Sequence, residues 1–196
     1  MKKYRLEAFS DGVIAILITI MVLNMEVPSG VGADKLLPVI PVFLTYVLSF
    51  IYLAIYWSNH HHLFQAAIGV NRPILWANLN LLFWLSLIPF ATGWMGENHF
   101  APGPAALYGM VLLLSAISYW ILRQLVLASL TSQARLLHPI GRNWKGWLAT
   151  VLYLPAIALS FLWEWVSLAL YVLTALLWLI PDRRLELALA DREAGC

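Results

Sequence analysis

Few residues in this chain have side chains suited to chemistry, and they fall in two short stretches. Arg5-Leu6-Glu7-Ala8-Phe9-Ser10-Asp11-Gly12 stands near the start, and Trp57-Ser58-Asn59-His60-His61-His62 closes a long apolar run. Serine, aspartate and histidine together raise the question of a hydrolase. There is no Gly-x-Ser-x-Gly elbow, however, and Ser10 lies in a helical pattern rather than on a strained turn. The histidine run raises the question of a metal. Adjacent helical residues point about 100° apart, so three in a row cannot converge on one ion without unwinding. No carboxylate or cysteine stands beside them to complete a shell. A hydrogen-bonding role for the run, shared with Asn78 or Asn80, fits better. No nucleophile, base and orienting group assemble, so the expectation is a protein that is not an enzyme, with no cofactor and no metal site.

Asp11 has two readings. Ser10 or Asp11 can cap a helix by accepting bonds from its first amides. Alternatively, the helix is continuous through the motif and Asp11 is buried with a partner. A helix starting at Gly12 leaves only about 14 apolar residues before Glu26, too short for a membrane crossing. Arg5 and Phe9 are also four apart, on one face of a continuous helix. The candidate partners of Asp11 are Arg5 of another chain or one of His60, His61 and His62.

The elements that must position these groups follow from composition. Of 196 residues, 62% are apolar and 11% charged, with a mean hydropathy of +0.79. A soluble domain carries about 45–50% apolar and about 25% charged residues. Disordered, collagenous and nucleic-acid-binding classes are excluded, and a net charge of +2 gives no reason to expect a polyanionic partner. A crossing needs about 20 apolar residues. The expected spans are about 5–25, 36–57, 74–95, 104–127, 147–163 and 165–181, the last two split from one long run by a tight turn at Glu164. The fold class expected is all-α, a polytopic membrane protein with six transmembrane helices in one domain, 1–196.

Basic residues set the orientation. With the N-terminus inside, Lys2, Lys3, Arg5, Arg72, Arg123, Arg135, Arg142, Lys145, Arg183, Arg184 and Arg192 fall on the cytoplasmic side and only Lys35 outside. Both termini are expected in the cytoplasm, with the chain multi-pass in the cell (inner) membrane. Lys2, Lys3 and Arg5 before an apolar stretch resemble a signal peptide, but Glu7 and Asp11 interrupt it and no small-x-small cleavage site follows Leu23. The segment from Asp182 to Cys196 reads as a short amphipathic helix or a frayed, solvated end. Cys196, the sole cysteine, permits no internal disulfide.

Within the first span, Gly12, Ala15 and Thr19 form a small-residue stripe that would let helices approach closely. Ile16, Ile20 and Leu23 form the adjoining stripe. The other side, Val13, Ile14, Leu17, Ile18 and Met21, is equally apolar. Periodicity leaves open which side meets lipid and which a central axis.

Arg5-x-x-x-Phe9-Ser10-Asp11, followed by Gly12 through Leu23, closely resembles the first-helix signature of the lysosomal potassium channel family, transmembrane protein 175. The resemblance continues at Trp57 through Phe64 and from Asn78 through Pro89-Phe90 to Gly96-Glu97. It is strong over roughly the first half; the second half matches in hydropathy only. His62 departs from the pattern, which has arginine after the histidine pair. The resemblance implies a homotetramer of six-helix subunits in a lipid bilayer, with potassium as the permeant ion rather than a cofactor. It implies that Ile16 forms the narrowest ring, that Thr19, Ile20 and Leu23 line the path, and that Arg5, Phe9, Ser10 and Asp11 join a bracing network reaching His60, His61 and Asn78.

Branched aliphatic rings close a pore by expelling water, because an unhydrated ion faces a large desolvation penalty. Potassium sheds water more readily than sodium, so such a neck favours it modestly. The competing reading is a small polytopic solute transporter, which saturable, solute-coupled uptake without electrogenic potassium flux would reveal.

Overall fold

The computed structural model describes residues 2–129 and 144–179. The expected tail from Asp182, the end of the sixth expected span, most of the polar stretch from Thr131, and Arg135, Arg142, Arg183, Arg184 and Arg192 lie outside the described residues. The described chain is helical: α1 Lys3–Leu23, α2 Ile40–Ala66, α3 Arg72–Ser86, α4 Ile88–Glu97, α5 Pro102–Ala128, α6 Trp144–Leu159 and α7 Glu164–Leu179, with a 3-10 turn Ala33–Val39 before α2.

Local chemistry explains the boundaries. α1 runs unbroken through Ser10, Asp11 and Gly12, and its N-cap is Lys2, with no side-chain cap. Asp11 therefore lies inside the helix, which removes the capping reading. α2, α3, α4 and α5 all carry proline in their first turn, where the missing amide costs nothing. The Asn71 side chain caps α3 by accepting from the Ile74 amide at 2.9 Å. Pro89 separates α3 from α4 at Leu87, so Arg72–Glu97 forms one bent, apolar crossing of 26 residues. α2 continues to Ala66, past the Trp57 end expected from hydropathy, because the polar residues after Trp57 keep helical backbone. The turn expected at Glu164 falls just before it, over Ser160–Trp163, and Glu164 occupies the first turn of α7, where an acid complements the helix dipole.

Among the described residues, four helical stretches are long and apolar enough to cross a membrane: Lys3–Leu23, Ala33–Ala66, Arg72–Glu97 and Pro102–Ala128. Within the described residues α6 and α7 have 16 residues each, about 24 Å at 1.5 Å per residue. α5 packs against α3, α4, α6 and α7, and among the described residues α1 packs chiefly against α2, α3 and α4. More than half of the α5 span is buried (56%), against 28% for α1. α1 is thus a peripheral helix with one free side.

The core is tied by hydroxyls. Thr92 donates to the Ile88 carbonyl at 2.7 Å, which directs Ser49 to donate to Thr92 (2.6 Å) and Tyr108 to donate to Ser49 (3.0 Å). Tyr52 donates to the Tyr171 carbonyl at 2.6 Å and Tyr171 to that of Ala105 at 3.1 Å. An unpaired hydroxyl is costly away from water, and these five find their partners inside the bundle. Gly109 makes room for the Tyr171 phenol, which a Cβ there would overlap.

Candidate functional site

The two faces of α1 part cleanly. Leu6, Ser10, Ile14, Leu17 and Met21 are buried, each 7% exposed or less, and Val13 and Ile18 pack partly against the core. Arg5, Phe9, Gly12, Ile16, Thr19 and Leu23 are exposed, at alternating spacings of four and three. Ile16 is 57% exposed, Leu23 79% and Ile20 39%. All four residues assigned to the pore by resemblance therefore stand on the free side. The choice that periodicity left open is settled for the core: Ile14, Leu17 and Met21 face it and Ile16 does not. The small-residue stripe is open at Gly12, where a Cβ would meet no described atom within 4 Å.

Thr19 Oγ1 donates to the Ile16 carbonyl at 2.9 Å. This bond spends the hydroxyl proton on the helix's own backbone and leaves the oxygen lone pairs directed away from it. On an apolar face, those lone pairs are an acceptor suited to a cation or to a water hydrogen.

The buried side of the motif is a directed chain of hydrogen bonds. Ser10 donates to the Leu6 carbonyl at 2.9 Å, so its oxygen is free to accept, and it does so from Asn78 Nδ2 at 2.9 Å. Asn78 Oδ1 then accepts from His60 Nε2 at 2.7 Å. The proton of a neutral His60 is thereby placed on Nε2, and Nδ1 is left as an acceptor. Ser10, Asn78 and His60 are all fully buried, and the His60 ring stacks on Phe64 at 4.5 Å. Asn80, the other asparagine considered, instead donates to Ser118 at 2.7 Å, joining α3 to α5.

Two buried atoms near this chain, Asp11 Oδ1 and His60 Nδ1, take no hydrogen-bond partner among the described residues. Both accept and neither donates, so they cannot satisfy each other while His60 is neutral. Among the described residues Arg5 and Phe9 do not join this network; they are exposed on the side of the Ile16 stripe.

The three histidines have three different surroundings. His60 is in the core, His61 Nδ1 meets Glu7 Oε1 at 3.2 Å, and His62 is exposed. Gln65 Nε2 lies 2.9 Å from His61 Nε2. Lys3 Nζ donates to the Gln65 and Ala67 carbonyls at 3.2 and 3.0 Å, placing a cation at the C-terminal end of α2, where the helix dipole favours it. Sequence reading passed over Lys3 and Glu7. The signal was present: both stand at the spacing that continues the Ser10–Ile14 face back toward the N-terminus.

Residues 5–89 match the family described as endosomal/lysosomal potassium channel TMEM175. Over 191 residues the chain is 50% identical to a potassium channel of Chryseobacterium sp. (strain P1-3), covering 97% of this chain and all of the relative. It is 32% identical to a potassium channel of Chamaesiphon minutus over 88% of this chain and 91% of that one. Its fold is similar to the crystal structure of a lysosomal potassium-selective channel TMEM175 homolog from Chamaesiphon minutus, with a TM-score of 0.75 at 28% identity, covering 91% of this chain and 96% of that chain.

Proposed function

Because this chain belongs to the TMEM175 potassium channel family, we propose that it is itself a weakly discriminating potassium channel, formed by four copies around an axis lined by α1. The observation that carries this reading is the free face of α1. It is a continuous stripe of Ile16, Thr19, Ile20 and Leu23, on a helix whose other face is fully packed.

In the tetramer Ile16 forms the narrowest ring, and Ile20 and Leu23 extend an apolar neck. Thr19 supplies the acceptor oxygens within that neck. With the rings close together the neck expels water, and the desolvation penalty stops ions. A small outward rotation of α1 wets it. Discrimination comes from the lower dehydration cost of potassium, since no ring of carbonyls replaces the hydration shell.

The Ser10–Asn78–His60 chain holds the inner half of α1 against α2 and α3, so that movement is concentrated in the outer half. Arg5, exposed, and Asp11, with an unpartnered oxygen, suit a pairing between neighbouring subunits. In this reading the N-terminus is cytoplasmic, the protein lies in the cell membrane, and its work is ion passage rather than catalysis.

The test is potassium flux into proteoliposomes, combined with a cysteine at position 16 in a Cys196→Ser background. Electrogenic potassium flux that a water-soluble thiol reagent blocks at Ile16→Cys supports the reading. Flux unaffected by modification there removes Ile16 from the path, and saturable solute uptake without potassium current turns the protein into a carrier.

A further inference from the structure

His61 stands on α2 next to the buried His60, with 39% of its own side chain exposed. Among the described residues, three side chains bear on its two nitrogens and its face. Glu7 on α1 presents Oε1 to Nδ1 at 3.2 Å. Gln65, one turn further along α2, presents its Nε2 to His61 Nε2 at 2.9 Å. The Trp57 ring, one turn back, lies nearly parallel to the imidazole, 20° apart with centroids at 6.1 Å.

Hydrogen-bond directions locate the proton. An amide nitrogen only donates, so His61 Nε2 accepts from Gln65 and the one proton of a neutral ring sits on Nδ1, donated to Glu7. All three neighbours also suit a charged ring. Glu7 then forms an ion pair in place of a hydrogen bond. Trp57 offers its face to a cation. Gln65 has only to turn its amide over, which puts an acceptor oxygen where the donor nitrogen was. Histidine changes charge between about pH 5 and 8, and the exposed part of the ring gives the proton a way in.

The other charged groups nearby leave this pairing intact. Lys3, one turn before Glu7 on α1, is held by the Gln65 and Ala67 carbonyls at the end of α2. His62 is exposed and meets His61 edge-on at 5.9 Å, and the Nε2 proton of His60 goes to Asn78. α5 meets this part of α2 through Tyr119, with Arg123 one turn further on, at the Asn59 carbonyl. Two residues along a helix stand about 200° apart, so that contact is on the opposite side of α2 from His61.

We propose that His61 is a proton-operated clasp between α1 and α2. Taking up a proton at Nε2, with Gln65 turned over to accept from it, converts the Glu7 contact into an ion pair and fastens the N-terminal turns of α1 to α2. The charged ring is favoured only while Glu7 is in place, so the added hold is present in acid and is lost as the pH rises and His61 gives up its proton. α1 is the helix whose free face is assigned to the pore, so acidity on the N-terminal side of the membrane sets how firmly that helix is held.

The experiment follows thermal unfolding of the full chain in mild detergent at about pH 5.5 and about pH 7.5, on either side of the ordinary histidine range. Glu7→Gln keeps an acceptor for Nδ1 and removes the charge. Its drop in melting temperature should be small at the higher pH and roughly threefold larger at the lower one. In a His61→Gln background the same substitution should cost equally at both, whereas His62→Gln should leave the threefold ratio as it was. An equal drop at both pH values in the otherwise unaltered chain overturns the proposal. So does a pH-dependent excess that persists without His61, because the proton then binds elsewhere. Should His61→Gln fail to fold, Gln65→Leu takes its place: with no amide to accept from the charged ring, the excess should fall by about half, and an unchanged excess overturns the clasp. Unfolding is read rather than ion flux, so the result stands apart from the channel reading.

Discussion

Asn78 Nδ2 on α3 lies 2.9 Å from Ser10 Oγ on α1, a bond between residues 68 positions apart in the chain. Ser10 has only one proton, and it goes to the Leu6 carbonyl, so Asn78 must donate and its other atom must accept from His60. Replacing Asn78 with Ala strands both neighbours. The expected loss is about 1–3 kcal/mol, seen as a lower melting temperature of the assembled protein in mild detergent. Asn78→Asp offers two acceptors to two positions of opposite demand and should be no better than Ala. An unchanged melting temperature in both variants would falsify the bracing role.

The Glu7–His61 pair at 3.2 Å also joins α1 to α2, but its side chains are 19% and 39% exposed. Gln65 Nε2 can only donate to His61 Nε2, so His61 accepts there and donates from Nδ1 to Glu7, a single partly exposed hydrogen bond worth about 0.5–1.5 kcal/mol. Glu7→Gln, whose amide oxygen can still accept from Nδ1, should therefore shift the melting temperature far less than Asn78→Ala. A loss as large as that of Asn78→Ala would make Glu7 part of the buried brace.

The unequal weight of these contacts shows what was legible in the sequence. Residue types point to a hydrogen-bonding role for the histidine run shared with Asn78 or Asn80, because polar groups inside an apolar helix must be paired, and the family resemblance brings in Ser10. The face of α1 was not legible, because Ile14, Leu17 and Met21 on one side are as apolar as Ile16, Ile20 and Leu23 on the other. Hydropathy ended the second helix at Trp57 because Ser58-Asn59-His60 is polar, yet Asn59 returns its amide to the Ile55 carbonyl and the backbone stays helical to Ala66. The tyrosine hydroxyls of the core escaped notice because tyrosine counts as apolar in composition, while its bonding depends on neighbours distant in sequence.

One such tyrosine yields a packing test. A Cβ at Gly109 would occupy the place of the Tyr171 phenol, whose proton goes to the Ala105 carbonyl. Overpacking typically costs about 1–3 kcal/mol, and Gly109→Ala should lower the melting temperature accordingly. Adding Tyr171→Phe should recover part of the loss by clearing the oxygen. A stable Gly109→Ala protein with unaltered Tyr171 would contradict the close approach of α5 and α7.

Ile16→Asn tests the proposed neck. An amide ring holds water where isoleucine expels it, so the closed state loses its advantage and the open fraction rises. Dehydration is then no longer required for passage, and the preference for potassium over sodium should fall severalfold in reversal-potential measurements. Unchanged selectivity with unchanged conductance would place the filter elsewhere. Leu23→Asn, at the wider end, should raise conductance with less effect on selectivity.

Asp11 provides the test of assembly. Its buried Oδ1 has no partner among the described residues, and His60 Nδ1 cannot donate to it in the tautomer that Asn78 imposes. A carboxylate in a membrane interior needs a cation or donors, and Arg5 stands exposed on the side of α1 turned away from the chain's own core. Asp11→Ala and Arg5→Ala should each weaken the proposed tetramer, measured as dissociation during size-exclusion chromatography in mild detergent. Removing one partner of such a pair leaves the other charge uncompensated, at a cost of about 3–5 kcal/mol. The double variant Arg5→Ala/Asp11→Ala should therefore be more stable than either single variant. Independent, additive losses would mean that the two residues never meet, and Asp11 would then need its donor from a different surface of the neighbouring subunit.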